Sequence, residues 1–179
     1  MGIYAIYTRE PFSSPFSRAL MEAIEVVDVD GYMQTLAMVL DRMMHIKSVI
    51  EPLLSSGYIV VCDRYTPSTI AYQGALGADI EWILEVSRHV LEPDLVILLD
   101  IDLDTALRRI GGYRSSRRWR IFEDVDVLKR AIEIYRKLPQ ILRWRIAVVD
   151  ATKPIEQVVD ECLKYIISSL ASSDSEELS

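Results

Sequence analysis

Residues 58–74 read "YIVVCDRYTPSTIAYQG", and this stretch decides the fold class. A run of strand-forming residues stops at Asp63-Arg64, and Pro67 with Ser68-Thr69 then opens a helical pattern. "YIVVC" is continuously apolar rather than alternating, as expected of a strand covered on both faces by helices. Three other runs share that character: "GIYAIY" (2–7), "LVILLDI" (95–101) and "IAVVD" (146–150). Helical patterns fill the rest, at 15–27, 32–55, 67–75, 79–91, 103–110, 123–142 and 154–171, with Gly57 as the stop signal of the second. Strands alternating with helices predict an α/β fold, a parallel sheet flanked by helices, with ligands beyond the carboxyl ends of the strands. Asp63 and Arg64 stand at such an end, as do Thr8-Arg9-Glu10 and Asp100 with Asp102.

The chain has 179 residues, half of them apolar, which is enough for one globular domain with a sizeable core. That domain is expected over 1–171, and the acidic, serine-rich residues 172–179 read as a disordered tail. With 27 acidic and 20 basic residues the net charge is -7, which argues against a bulk electrostatic grip on nucleic acid or on an anionic membrane. No apolar run approaches the roughly 18 residues of a membrane span, and the charged pair Arg9-Glu10 interrupts any leader-like opening. Cys62 and Cys162 are isolated, without CxxC or a metal-like spacing to histidine, so reduced thiols in a cytoplasmic protein are expected.

Arg64 beside Asp63 suits a nucleotide site, because a guanidinium grips phosphate bidentately and a carboxylate helps to place a hydrated Mg²⁺. The stretch "RRIGGYRSSRRWR" carries six arginines and no acid between Arg108 and Arg120. It could close over a triphosphate, with Gly111-Gly112 as hinge, or equally form a solvated face or an RNA-contacting patch. A phosphate-cradling P-loop would separate these readings, but GxxxxGK[ST] does not occur and none of the seven glycines precedes a lysine.

Several stretches together resemble the thymidylate kinase (dTMP kinase) family. "YTREPFSSP" is similar to its Thr-Arg-Glu-Pro segment, and residues 36–74 to its helix with Asp-Arg and His followed by the Asp-Arg-Tyr strand. "EPDLVILLDIDLDTALRRI", "IFEDVDVLKRAIEIYRKL" and "VVDATKPIEQVV" resemble its next strand, its Phe-Glu helix and its last strand, so the likeness covers nearly all of residues 3–167. The resemblance implies a nucleoside-monophosphate-kinase-like fold and transfer of a phosphoryl group from ATP to dTMP, with Mg²⁺, giving dTDP. It implies that Arg64 holds the dTMP phosphate and that Asp63 sits near Mg²⁺, through water, and the acceptor. Arg42 would reach the thymine edge, Thr69, Tyr72 and Gln73 would line base and sugar, and Glu10 would face the phosphate and metal. Arg114, Arg117 and Arg118 are the catalytic lid candidates, and the partner is a second copy in a homodimer or a related kinase in a mixed dimer.

The departures from that family define the alternatives. The P-loop strand and helix that precede Thr-Arg-Glu-Pro in relatives are lacking here, the thymine-stacking phenylalanine falls at Met38, and an expected arginine falls at Met21, with Arg18 one turn away. Without the P-loop strand, either "YIVVC" and "LVILL" close up or "GIYAIY" moves between them. Two functional readings follow: a dTMP kinase, or a catalytically inactive homologue that binds dTMP or pairs with an active kinase.

Overall fold

The computed structural model of the chain describes residues 4–110 and 124–176. The elements run β1 (Ala5–Arg9), α1 (Pro15–Val26), α2 (Gly31–His45), a π-helical turn (Ile46–Ile50), α3 (Glu51–Ser55), β2 (Ile59–Asp63), α4 (Thr66–Ala75) and α5 (Ile80–Ser87). They continue with β3 (Val96–Asp100), α6 (Leu103–Ile110), α7 (Val125–Ile141), β4 (Ile146–Asp150) and α8 (Ile155–Glu176). The lid candidates Arg114, Arg117 and Arg118 lie outside the described residues. No helix among the described residues is long and apolar enough to cross a membrane.

All strand pairs are parallel, as the continuous apolar runs require. They form two two-stranded ladders, β1 with β2 and β3 with β4, rather than one four-stranded sheet. Neither expected closure is therefore seen among the described residues: β2 does not pair with β3, and β1 keeps to β2 without bridging onward. The β1–β2 register runs from Ala5 opposite Ile59 to Arg9 opposite Asp63, so β1 extends past the predicted end at Tyr7. A further bond, from the Glu10 amide to the Asp63 carbonyl at 3.0 Å, fixes Glu10 beside the end of β2.

The residues cluster into two compact units, 1–91 with 115–134 and 92–114 with 135–179. In the first, α2 packs on α1, α4 and α5, and Ile70, Ala71 and Ile83 are fully enclosed. Side-chain caps start its helices where the sequence supplies them: Ser14 for α1, Asp30 for α2 and Asp79 for α5. The long helical pattern at 32–55 is one continuous helical path with a π turn, in which the Glu51 amide reaches back to the Ile46 carbonyl. Pro52 explains the widening, since it has no N–H and its ring needs room at the carbonyl four residues earlier.

In the second unit Leu138 and Val149 are fully enclosed, and α8 packs on β4. Asp102, one of the strand-end acids, serves as the cap of α6 by accepting from the Thr105 amide at 2.8 Å, and that bond lowers its pKa. Asp100 is paired with Arg136 at 2.9 Å. The α8 helix runs on to Glu176, past the domain end suggested at 171, with Ser172 Oγ bonded back to the Ser168 carbonyl at 2.8 Å.

One glycine sets the approach of α2 to α4. A Cβ on Gly31 would stand 2.7 Å from the Gln73 carbonyl oxygen and 3.1 Å from the Ala78 amide nitrogen, both backbone atoms. Gly31→Ala is expected to lower stability by about 1–3 kcal/mol, because backbone on both sides would have to yield. Chemical denaturation of wild type and variant measures this directly.

Candidate functional site

One helical turn of α2 organises the site, and it does so with buried polar side chains. Asp41, 1 % exposed, accepts from the backbone amides of Phe12 at 2.6 Å and Ser14 at 3.0 Å, and so ties down the loop after β1. The next residue, Arg42, is 2 % exposed and makes a buried ion pair with Glu10. Its Nε donates to Glu10 Oε2 at 2.8 Å, its NH2 donates to Thr69 Oγ1 at 3.1 Å, and its guanidinium lies 4.7 Å from the Tyr65 ring centroid. NH1 of Arg42 is buried and has no hydrogen-bond partner among the described residues. His45 ends the turn, with Nδ1 3.2 Å from Glu10 Oε1, Nε2 2.7 Å from Thr8 Oγ1, and its ring stacked on Phe12.

A cleft opens beside this turn, entirely within the first unit, with about 30 Å³ of space for a water-sized guest and otherwise continuous with solvent. Leu20, Met21, Ile24 and Met38 form its apolar wall. Glu10, Gln34, Arg42, Arg64, Thr69 and Gln73 contribute its polar groups. An apolar cleft with a few convergent polar groups is the usual form of a small-molecule site. Its polar set is rich in donors suited to phosphate oxygens and to the edge of a base.

Six of the seven residues expected to hold substrate line this pocket: Glu10, Met38, Arg42, Arg64, Thr69 and Gln73. Tyr72 is not among the lining residues, and its ring centroid lies 5.0 Å from the Arg64 guanidinium carbon. Glu10 is less available than the sequence suggests, since Arg42 and His45 engage both of its carboxylate oxygens. It acts as a counter-ion within the pocket wall rather than as a free ligand. Asp63 is exposed at the end of β2 and accepts a hydrogen bond from the Tyr7 hydroxyl at 3.2 Å. Arg18 donates to the Ser13 carbonyl at 2.6 Å and is not among the lining residues, whereas Met21 is.

Arg64 adopts φ 63°, in the left-handed region that side chains with a Cβ rarely enter. The turn between β2 and α4 imposes this, with the Arg64 carbonyl accepting from the Cys62 thiol at 3.3 Å. Strain of that kind, at a residue lining a pocket, is characteristic of functional sites.

The fold also assembles a group that sequence spacing did not reveal. One ligand atom each from Glu10, His45 and Cys62 lies within 4.8 Å of the others. Burial, the main cause, and then the Glu10 carboxylate push the Cys62 thiol up to about 12, so it stays protonated at neutral pH. Glu10 and His45 already satisfy one another and their neighbours, and that hydrogen-bond network accounts for their burial. Two residues of the site had no individual part in the sequence reading: Asp41, which precedes Arg42 in "LDRMMH", and Gln34, two helical turns before Arg42 on the same helix.

Comparison with known proteins identifies a family for the chain. A family profile described as Thymidylate kinase matches residues 1–162. The chain is 40% identical over 166 residues to a "Probable thymidylate kinase" of Pyrobaculum calidifontis, an alignment covering 92% of this chain and 83% of the relative. It is 36% identical over 169 residues to a protein of the same description from Staphylothermus marinus, covering 94% and 82%. A "Thymidylate kinase" of Brachyspira hyodysenteriae is 35% identical over 170 residues, covering 94% and 81%.

Proposed function

Because the chain belongs to the thymidylate kinase family, we propose that the pocket of its first unit binds dTMP and presents the 5′-phosphate as acceptor in phosphoryl transfer from ATP, giving dTDP. The observation that carries this reading is the buried NH1 of Arg42, a donor without a partner in the wall of that pocket. A buried donor of this kind costs free energy until a ligand supplies an acceptor, and a carbonyl of thymine is such an acceptor. Arg64 would hold the phosphate, Thr69 and Gln73 would line base and sugar, and Met38 would pack on the ring face. Tyr72 would keep the Arg64 guanidinium in place by cation–π contact.

Asp63 fits a magnesium ion, since its carboxylate is an exposed, hard oxygen ligand at the strand end. Bound there through water, Mg²⁺ would neutralise charge on the transferred group. Arg114, Arg117 and Arg118 would share that task from the lid. The donor side is different: no GxxxxGK[ST] occurs, so these 179 residues supply no glycine-rich loop with lysine to cradle the ATP phosphates.

A second reading is a homologue that binds dTMP without turning it over and pairs with a related kinase. Such pairing, or a homodimer, would draw on α2, where Met33, Leu36, Leu40, Met43 and Met44 are exposed at helical spacing. Two measurements decide. Calorimetry with dTMP is expected to give binding, whereas absence of heat at sub-millimolar dTMP would refute the pocket assignment. Formation of dTDP from ATP, Mg²⁺ and dTMP by the purified chain supports the kinase. Binding without turnover supports the second reading.

A further inference from the structure

The Gln34 side chain sits in the pocket wall, 2 % exposed, at hydrogen-bond distance from the Gln73 side chain, itself 4 % exposed. The hydrogen bonds fix which end of each amide points where. The Val29 carbonyl can only accept, so the group 3.0 Å from it must be the Nε2 of Gln34. The Oε1 of Gln34 then faces Gln73, and because a carbonyl oxygen can only accept, Gln73 must turn its own Nε2 toward it, at 3.2 Å. The relay therefore ends with the Gln73 carbonyl oxygen turned away from Gln34, and neither amide is free to flip without facing like against like. Gly31 permits the meeting, since a Cβ there would collide with the Gln73 backbone oxygen at 2.7 Å.

We infer that Gln34 is a positioning residue for base selection: it fixes the Gln73 amide so that its carbonyl oxygen, turned away from Gln34, is the acceptor offered to a base in the pocket that Gln73 and the donor Arg42 both line. This rests on the dTMP reading above and adds its selectivity. A pocket that offers one donor and one acceptor matches the imide edge of thymine, whose carbonyl accepts and whose neighbouring N–H donates. Cytosine presents the reverse pattern, an amino donor beside a ring nitrogen that accepts. It would set its amino group against Arg42 and its bare ring nitrogen against the Gln73 oxygen. Sites built on buried hydrogen-bonding groups reject such mismatches strongly, because their own groups are left unpaired.

The test measures binding of dTMP, dUMP and dCMP by calorimetry to wild type, Gln34→Met, Gln34→Leu and Gln34→Glu. Wild type is expected to prefer dTMP over dCMP by about 100-fold or more. In whichever of the Met and Leu variants keeps the wild-type circular dichroism spectrum, Gln73 loses its anchor and that preference falls at least about tenfold. The dTMP-to-dUMP ratio stays unchanged, because both bases carry the same imide edge. Gln34→Glu, whose carboxyl accepts from Gln73 with one oxygen and, when protonated, donates to the Val29 carbonyl with the other, retains the preference where it keeps the wild-type circular dichroism spectrum. The inference is overturned if a folded Met or Leu variant keeps the wild-type preference over dCMP. It is equally overturned if the dUMP ratio moves in step, which would mark a general loosening of the pocket. Failure of wild type to bind dTMP would instead remove the functional reading itself, and this inference with it.

Discussion

Arg42→Met is expected to lower folding stability by about 3–5 kcal/mol, the largest effect of any single substitution considered. The reason is the environment of Glu10. Arg42 is 2 % exposed and Glu10 6 %, and the guanidinium supplies the charge that lets the carboxylate remain buried. Removing only the cation leaves the buried carboxylate with His45 as its remaining side-chain partner in a site with little access to water, and the favourable hydrogen bond to Thr69 goes with it. The double variant Glu10→Gln/Arg42→Met removes both charges, and it is expected to recover much of the loss. Urea denaturation of the two singles and the double, closed into a cycle, measures the coupling. A single Arg42→Met variant within about 1 kcal/mol of wild type would show that the pair is not the organising contact proposed here.

Arg64 provides the opposite case, large for binding and small for folding. Arg64→Ala and Arg64→Gly should each weaken dTMP binding by about 100-fold, with thymidine, which has no phosphate, little affected. The two variants should nevertheless differ in stability. Arg64 holds φ 63°, which alanine tolerates as poorly as arginine and glycine tolerates freely. The glycine variant is therefore expected to be about 1 kcal/mol more stable than the alanine variant, although it binds no better. Equal stability of the two would mean that the turn relaxes when the guanidinium leaves Tyr72. Function, on this account, keeps an unfavourable residue at a position where folding alone would choose glycine.

The strands and helices were largely legible because their signals are local. "YIVVC" and "IAVVD" are continuous apolar runs that end in aspartate, and β2 and β4 end at Asp63 and Asp150. The caps at Ser14, Asp30 and Asp79 follow from residue type alone. Sheet assembly was not legible, because strand pairing is a long-range property that no local pattern encodes. Four runs of the right kind suggested one sheet, and the chain forms two ladders. Within the site, motif likeness pointed to Glu10, Arg42, Arg64, Thr69 and Gln73, which the pocket gathers. It said nothing of their mutual engagement. Glu10 was expected to face phosphate and metal, and its engagement by Arg42 was not legible, because ion pairing is a property of three-dimensional proximity across 32 residues of sequence. Gln34 carried no signal, since a glutamine in an amphipathic helix is ordinarily a surface residue, and only the Val29 carbonyl and Gln73 give it a meaning.

The short run from Asp41 to His45 has a kinetic consequence. Backbone amides of Phe12 and Ser14, the carboxylate of Glu10 and the hydroxyl of Thr8 are all held by side chains from one turn of helix. The part of the pocket wall that this turn holds is thus assembled before any nucleotide arrives. Encounter then proceeds at the pace set by diffusion and orientation, and differences in affinity among nucleotides are written in how long each one stays.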